Sequence, residues 1–166
     1  MSKLINLFKA KSSNLLSIYF SAGYPELNST RTIIKTLEQN KVDFIEVGIP
    51  FSDPLADGPT IQESGSKALE NGMTLKFLIK QLKSIKDEIN IPLVLMGYWN
   101  SIINYGVEEF LADCQEIGIA GTILPDLPLD AYESKYKKLF ERHDIPMIFL
   151  ISPSTSEDRI RKIEDR

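Results

Sequence analysis

The sequence predicts an α/β fold built on a parallel sheet, and two observations carry the prediction. Short apolar runs of strand type alternate with segments of helical periodicity along the whole chain. One of those runs, Val42 to Ile49, is mostly apolar on both of its faces, as in a parallel strand covered on each side. The elements follow in order. A short amphipathic helix over 1–11 places Leu4, Leu7 and Phe8 on one face. Leu15 to Phe20 is the first strand, and Asn28 or Ser29 then caps a helix carrying Ile33, Ile34 and Leu37. Strand Val42 to Ile49 follows. After it come a loop and an extra helix, opened by Gly58-Pro59 and stopped by Gly72. Thr74 caps a longer helix with Leu75, Leu78, Ile79, Leu82, Ile85 and Ile89 at helical spacing. Pro92 to Tyr98 is the third strand. The next helix bears Val107, Phe110, Leu111, Cys114 and Ile117 on one stripe, which makes Cys114 a core thiol. Ala120 to Leu124 is the fourth strand. A helix with Tyr132, Tyr136, Leu139 and Phe140 leads to the fifth, Pro146 to Ile151. A last helix starts near Thr155 or Ser156, with Ile160 and Ile163 as its apolar residues. The whole, residues 1–166, reads as one domain of five βα units.

Composition excludes several classes. The formal net charge of −4 and the lack of any basic run argue against nucleic-acid binding. No apolar run approaches the length needed to span a membrane, and the N-terminus is too short and polar for a signal peptide. A single cysteine forms no internal disulfide and fits a reducing compartment. A soluble, cytoplasmic protein is expected. No His, Cys or carboxylate cluster stands at metal-ligand spacing. His143 closes a helix, where an imidazole suits the dipole, and reads as surface structure. Trp99 reads as packing or part of a subunit face.

The chemistry concentrates in the stretch from Glu46 to Gln62, Glu-Val-Gly-Ile-Pro-Phe-Ser-Asp-Pro-Leu-Ala-Asp-Gly-Pro-Thr-Ile-Gln. Alternation puts Ile45 and Val47 on one face of the strand and Phe44, Glu46 and Gly48 on the other. A carboxylate among apolar neighbours is costly unless protonated or paired. Burial favours the proton-bearing form of such a group, and proteins make general acids in this way. Asp57 follows on the loop. Each residue has a plainer reading: Asp57 as a helix N-cap, Glu46 as one half of an ion pair. Their joint placement, on one strand and the enlarged loop at its end, favours catalysis. In both open and barrel α/β folds, sites gather at such loops. From the pattern alone two architectures stay open: a complete doubly wound sheet of flavodoxin type, or part of a (β/α)8 barrel.

The Glu46 to Gln62 stretch closely resembles the signature of the tryptophan synthase alpha subunit family. The same family resemblance continues in Ala22-Gly23-Tyr24-Pro25, in Met96-Gly97-Tyr98-Trp99-Asn100 as a turn after the third strand, in Leu124-Pro125-Asp126-Leu127-Pro128, and in Ile151-Ser152-Pro153 with Thr155. It implies a (β/α)8 TIM barrel of which about the first five βα units are present. It implies retro-aldol cleavage of indole-3-glycerol phosphate to indole and glyceraldehyde 3-phosphate, for L-tryptophan biosynthesis. Glu46 and Asp57 match the two catalytic carboxylates. Tyr19, Met96 and Ile123 match positions that contact the indole ring, with plain core as the alternative. Asp53, Pro54, Asp126 and Pro128 match positions at or near the beta-subunit contact, with solvated loop as the alternative. The implied partner is the beta subunit of an alpha2-beta2 complex. The implied subunit carries no cofactor and no metal, pyridoxal phosphate belonging to the beta subunit. The family's sixth strand, lid and phosphate site have no counterpart in these residues. The fragment alone is therefore expected to be inactive, and its unpaired strand edges to favour self-association. The competing function is a non-catalytic, five-stranded flavodoxin-like binding or regulatory module with Glu46 and Asp57 as structural groups.

Overall fold

The computed structural model describes residues 3–55 and 57–164. Met1, Ser2, Asp165 and Arg166, at the ends of the expected 1–166 domain, and Ala56 of the signature stretch lie outside the described residues.

The elements are α1 (Lys3–Ala10), β1 (Ser17–Ser21), α2 (Ser29–Gln39), β2 (Phe44–Gly48), α3 (Pro59–Glu70), α4 (Leu75–Ile85), β3 (Leu93–Met96), α5 (Trp99–Tyr105), α6 (Val107–Ile117), β4 (Gly121–Ile123), α7 (Leu129–Ala131), α8 (Lys137–Arg142), β5 (Met147–Ile148) and α9 (Glu157–Glu164). The strands form one five-stranded sheet in the order β1-β2-β3-β4-β5, and every adjacent pair is parallel. A flavodoxin-type sheet would insert β1 between β2 and β3, so this order rules that architecture out. Sequential parallel pairing is the arrangement of barrel strands.

Alternation then divides the side chains between two faces. Ile45, Val47, Leu93 and Leu95 point to the helix side and join Ile34, Leu78, Leu82, Phe110 and Leu111 in the main core. On the opposite, concave face, Val94, Ile123 and Ala120 pack with Leu4 of α1, flanked by Phe44, Met96 and Ile148. The N-terminal helix thus lays Leu4 and Leu7 across the bottom of the concave face, while Phe8 stays half-exposed beside Phe44, with ring centroids 6.2 Å apart.

Local signals account for the helix ends. Thr74 accepts a hydrogen bond from the Phe77 amide at 3.1 Å and caps α4, a contact worth about 1 kcal/mol. Gly118 closes α6 at a left-handed φ of 81°, a conformation that a side chain would strain. His143 is the C-cap of α8, as its place in the sequence suggested. Cys114 is fully buried, and burial, with Asp113 adding to it, drives its thiol well above the usual range.

Four expectations need correction. Trp99 and Asn100 belong to α5, not to a turn, because Asp126 satisfies the amide that opens this helix. The helix bearing Tyr132 to Phe140 is broken: α7 and α8 are joined by a π turn over Tyr132–Tyr136. Tyr132, at the start of this turn, lies edge-on to Phe140, with centroids 5.4 Å apart. The fifth strand pairs only over Met147–Ile148, and Leu150 and Ile151 are half-exposed. Finally, β2 is closed on its helix face but open on its concave face: Ile45 and Val47 have no exposure, whereas Phe44 and Glu46 keep some.

Candidate active site

The register of the parallel strands assembles the site. Tyr19, Glu46, Val94 and Gly121 lie in one row across the concave face. Ser21, Gly48, Met96 and Ile123 lie in the next row, nearer the strand C-termini. Gly48 is needed here. A Cβ at that position would lie 2.2 Å from the Tyr19 hydroxyl oxygen, so the missing side chain makes room for the tyrosine ring.

Glu46 is half-buried in the first row. Its Oε1 accepts a hydrogen bond from the Ser17 hydroxyl at 2.8 Å, and no cation pairs with it among the described residues. The plainer reading of Glu46 as an ion-pair partner therefore fails. A neutral hydroxyl, not a cation, is the partner of this carboxyl.

Asp57 is half-buried on the loop that joins β2 to α3. The reading of Asp57 as a helix cap fails as well: the N-cap of α3 is Gly58, with no side-chain capping bond. The Asp57 carboxylate is turned to the sheet, where Oδ2 accepts a hydrogen bond from the Tyr98 hydroxyl at 3.2 Å. Its carbonyl accepts from Gln62 Nε2 at 2.8 Å, which ties the loop to the first turn of α3.

Tyr19 stands between the two carboxylates. Burial raises its phenol above the usual value of 10.0. The Ser21 hydrogen bond opposes the rise, and the nearby charges of Asp57, Tyr98 and Glu46 add to it. The phenol is therefore protonated at neutral pH. Ser21 in turn shares a 2.7 Å hydrogen bond with Ser64 of α3. Tyr19, Asp57, Met96, Tyr98, Ile49 and Pro125 line one small cleft with a volume of about 20 Å³, room for roughly one water. A second small cleft adjoins it between Tyr19, Asp57 and the β2–α3 loop.

The structure thus brings Tyr19, Met96 and Asp57 to one cleft; Glu46 does not line it and lies beside Tyr19 in the same row of the sheet. Ile123 does not line that cleft; it is 6% exposed and packs against Leu4 and Val94. Asp53 is exposed and Pro54 half-buried on the loop. Asp126 has a structural duty, since its Oδ1 accepts from the Trp99 amide at 2.8 Å. Pro128 is exposed and precedes α7 as its N-cap residue. Trp99 packs edge-on against Tyr136 at 4.7 Å. Two residues of the site were not singled out in the sequence: Tyr98, and Phe51, whose ring stacks on Tyr98 at 5.0 Å. Both stood inside the segments that carried the resemblance. Among the described residues, no group of three or more His, Cys, Asp or Glu side chains is placed to hold a metal ion.

Comparison with known proteins decides the family. The profile of the tryptophan synthase alpha chain matches residues 5–166. The chain belongs to that family. It is 58% identical over 160 residues to the tryptophan synthase alpha chain of Flavobacterium psychrophilum, a match covering 96% of this chain and 63% of the relative. It is 52% identical to that of Parabacteroides distasonis, covering 99% of this chain and 64% of the relative. Among solved structures, tryptophan synthase from M. tuberculosis superimposes with a TM-score of 0.91 at 31% identity, over 99% of this chain and 66% of the other. The tryptophan synthase subunit alpha of Legionella pneumophila gives 0.90 at 33% identity, over 97% and 63%. The family fold is a TIM barrel, and the five parallel strands are part of one. The chain spans less than two thirds of the length of these curated relatives.

Proposed function

We propose that residues 1–166 are a single domain, the N-terminal part of a TIM-barrel lyase that cleaves indole-3-glycerol phosphate to indole and glyceraldehyde 3-phosphate. The observation that carries the reading is that Glu46 and Asp57 both lie beside Tyr19, one as its register partner on β2 and one on the loop that shares its cleft, neither engaged in the structural role it would otherwise have. The reaction breaks the bond between indole C3 and the glycerol chain. A proton must arrive at C3, and a proton must leave the hydroxyl on the adjoining carbon as it becomes an aldehyde. Glu46 gives the first proton and, as carboxylate, takes the second, so the protons balance. Positive charge develops on the ring nitrogen when C3 is protonated. The ionised Asp57 at the mouth stabilises it. Tyr19 and Met96 form the slot for the ring, with Ile123 supporting it from below.

The cleft as it stands has room for about one water, so an indole ring enters only when the side chains that line it move apart. Asp53, Pro54, Asp126 and Pro128 occupy loops around the strand C-termini and form the face offered to a beta subunit. A tryptophan synthase complex from Pyrococcus furiosus is among the similar solved structures, at 37% identity and a TM-score of 0.85. Pyridoxal phosphate is assigned to the beta subunit. The enzyme is expected in the cytoplasm; among the described residues no helix is long and apolar enough to cross a membrane.

The test is indole release. It should be measured for residues 1–166 alone and for a full barrel. In the full barrel, these residues are followed by the part of the Flavobacterium psychrophilum alpha chain that they do not match. The expected result is turnover in the full barrel and none in the shorter chain, because remote binding energy helps position the reacting bond. A folded full barrel without turnover would refute the assignment.

A further inference from the structure

We propose that Tyr98 is the residue that positions Asp57, acting through its hydroxyl; the inference deepens the lyase reading above and rests on it. Asp57 lies on a loop between β2 and α3 and gains no anchorage from capping a helix. Its Oδ2 accepts from the Tyr98 hydroxyl at 3.2 Å. Tyr98 is itself well fixed. It is 7% exposed and directly precedes α5, whose first amide is held by Asp126 at 2.8 Å. Its ring stacks on Phe51 with centroids 5.0 Å apart and planes 25° from parallel. One tyrosine therefore grips the loop twice, by ring at Phe51 and by hydroxyl at Asp57.

The chemical consequence concerns orientation. A carboxylate on a loop must otherwise be ordered at every turnover before its charge can act on the ring nitrogen. A donor that occupies Oδ2 leaves Oδ1 free to face that nitrogen, since an ionised carboxylate accepts several hydrogen bonds. Tyr98 touches no reacting atom in this scheme. It sets the angle of the group that does, on a rigid element, which is how electrostatic stabilisation becomes effective.

The test uses the full barrel described above. Tyr98→Phe keeps the ring, the stack on Phe51 and the volume, and removes only the hydroxyl. It should lower kcat roughly tenfold while KM for indole-3-glycerol phosphate stays within about twofold. In an Asp57→Asn background the same change should cost almost nothing more, because the hydroxyl acts only through that carboxylate. Tyr98→Leu, which also breaks the stack, should raise KM as well. Native kcat in Tyr98→Phe, or an equal loss with and without Asp57, would overturn the proposal while the lyase reading stood. If the unmutated barrel released no indole, the lyase reading would fall and the catalytic role of Tyr98 with it. Amide NMR of residues 1–166 separates the two cases. Tyr98→Phe should shift the Asp57 and Gly58 resonances and leave α4 unchanged; unmoved loop resonances would refute the contact itself.

Discussion

The mouth formed by β1, β2 and β3 and the edge formed by β5 are built from the same βα unit, yet they differ in how completely they are covered. Around β2 and β3 the helix face is sealed: Ile45, Val47, Leu95, Leu82 and Phe110 have no exposure. The loops above that region converge on Tyr19, Asp57 and Tyr98. At β5 the strand pairs over two residues, Leu150 and Ile151 are half-exposed, and a hollow of about 300 Å³ opens between Tyr132, Phe140, Met147, Phe149 and Ile163. Helix α9 buries none of its residues. The difference shows where rigidity is invested. Glu46 stands on β2, a strand with neighbours on both sides, and Asp57 on the loop that follows it; close packing beneath them fixes the strand that carries the one and launches the other.

That contrast can be broken by mutation. Phe110→Ala, in the sealed region, should destabilise the chain by about 3–5 kcal/mol, whereas Ile151→Ala at the β5 end should change stability by only about 0.5 kcal/mol. Urea denaturation of the two variants compares them, and equal losses would contradict the division. The next effect is on association. β1 and β5 each have one neighbour in the sheet, so residues 1–166 should self-associate as concentration rises. Sedimentation velocity at several concentrations reads this, and a monomer throughout would mean the edges are protected.

Gly48→Ala sharpens the comparison inside the mouth. The added Cβ would meet the Tyr19 hydroxyl at 2.2 Å, so the ring must move. The loss in stability should be about 1–3 kcal/mol, with the change confined to Tyr19 and its neighbours in an NMR spectrum. The smallest effect is in pH dependence. The Lys11 ammonium, the Leu16 amide assisting, holds the Asp43 carboxyl below its usual value of 3.8. The folded form thus binds this proton less readily than the unfolded chain. The contribution is complete above the usual value and is lost as pH falls through the lowered one. Asp43→Asn should flatten that acid limb slightly in denaturation midpoints and leave the neutral-pH spectrum of the site unchanged.

Much of this fold was legible in the sequence because alternation and helical periodicity are local signals. Ile45 and Val47 separate from Phe44 and Glu46 by strand geometry alone, and Thr74 announces the start of α4. Strand order was not local: it depends on which neighbours each face buries, and only the signature stretch decided it. The π turn over Tyr132–Tyr136 was invisible, since Tyr132, Tyr136 and Phe140 fit an ordinary helix equally well. Helix α5 was missed because the amide that opens it is satisfied by Asp126, a residue on another loop. At the site, Glu46 and Asp57 stood out as carboxylates in unusual places. Tyr98 and Phe51 did not, because a stacked aromatic pair between two loops has no sequence spacing of its own.

The central claim is that Glu46 handles protons and Asp57 supplies charge, and the most direct test is indole release by the full barrel carrying Glu46→Gln. The amide keeps the size of the side chain and can still accept from Ser17, but it can neither give a proton to C3 nor take one from the adjoining hydroxyl. Turnover should fall by about 10²–10⁴-fold with the fold intact by circular dichroism. Near-native turnover in that variant would contradict the account.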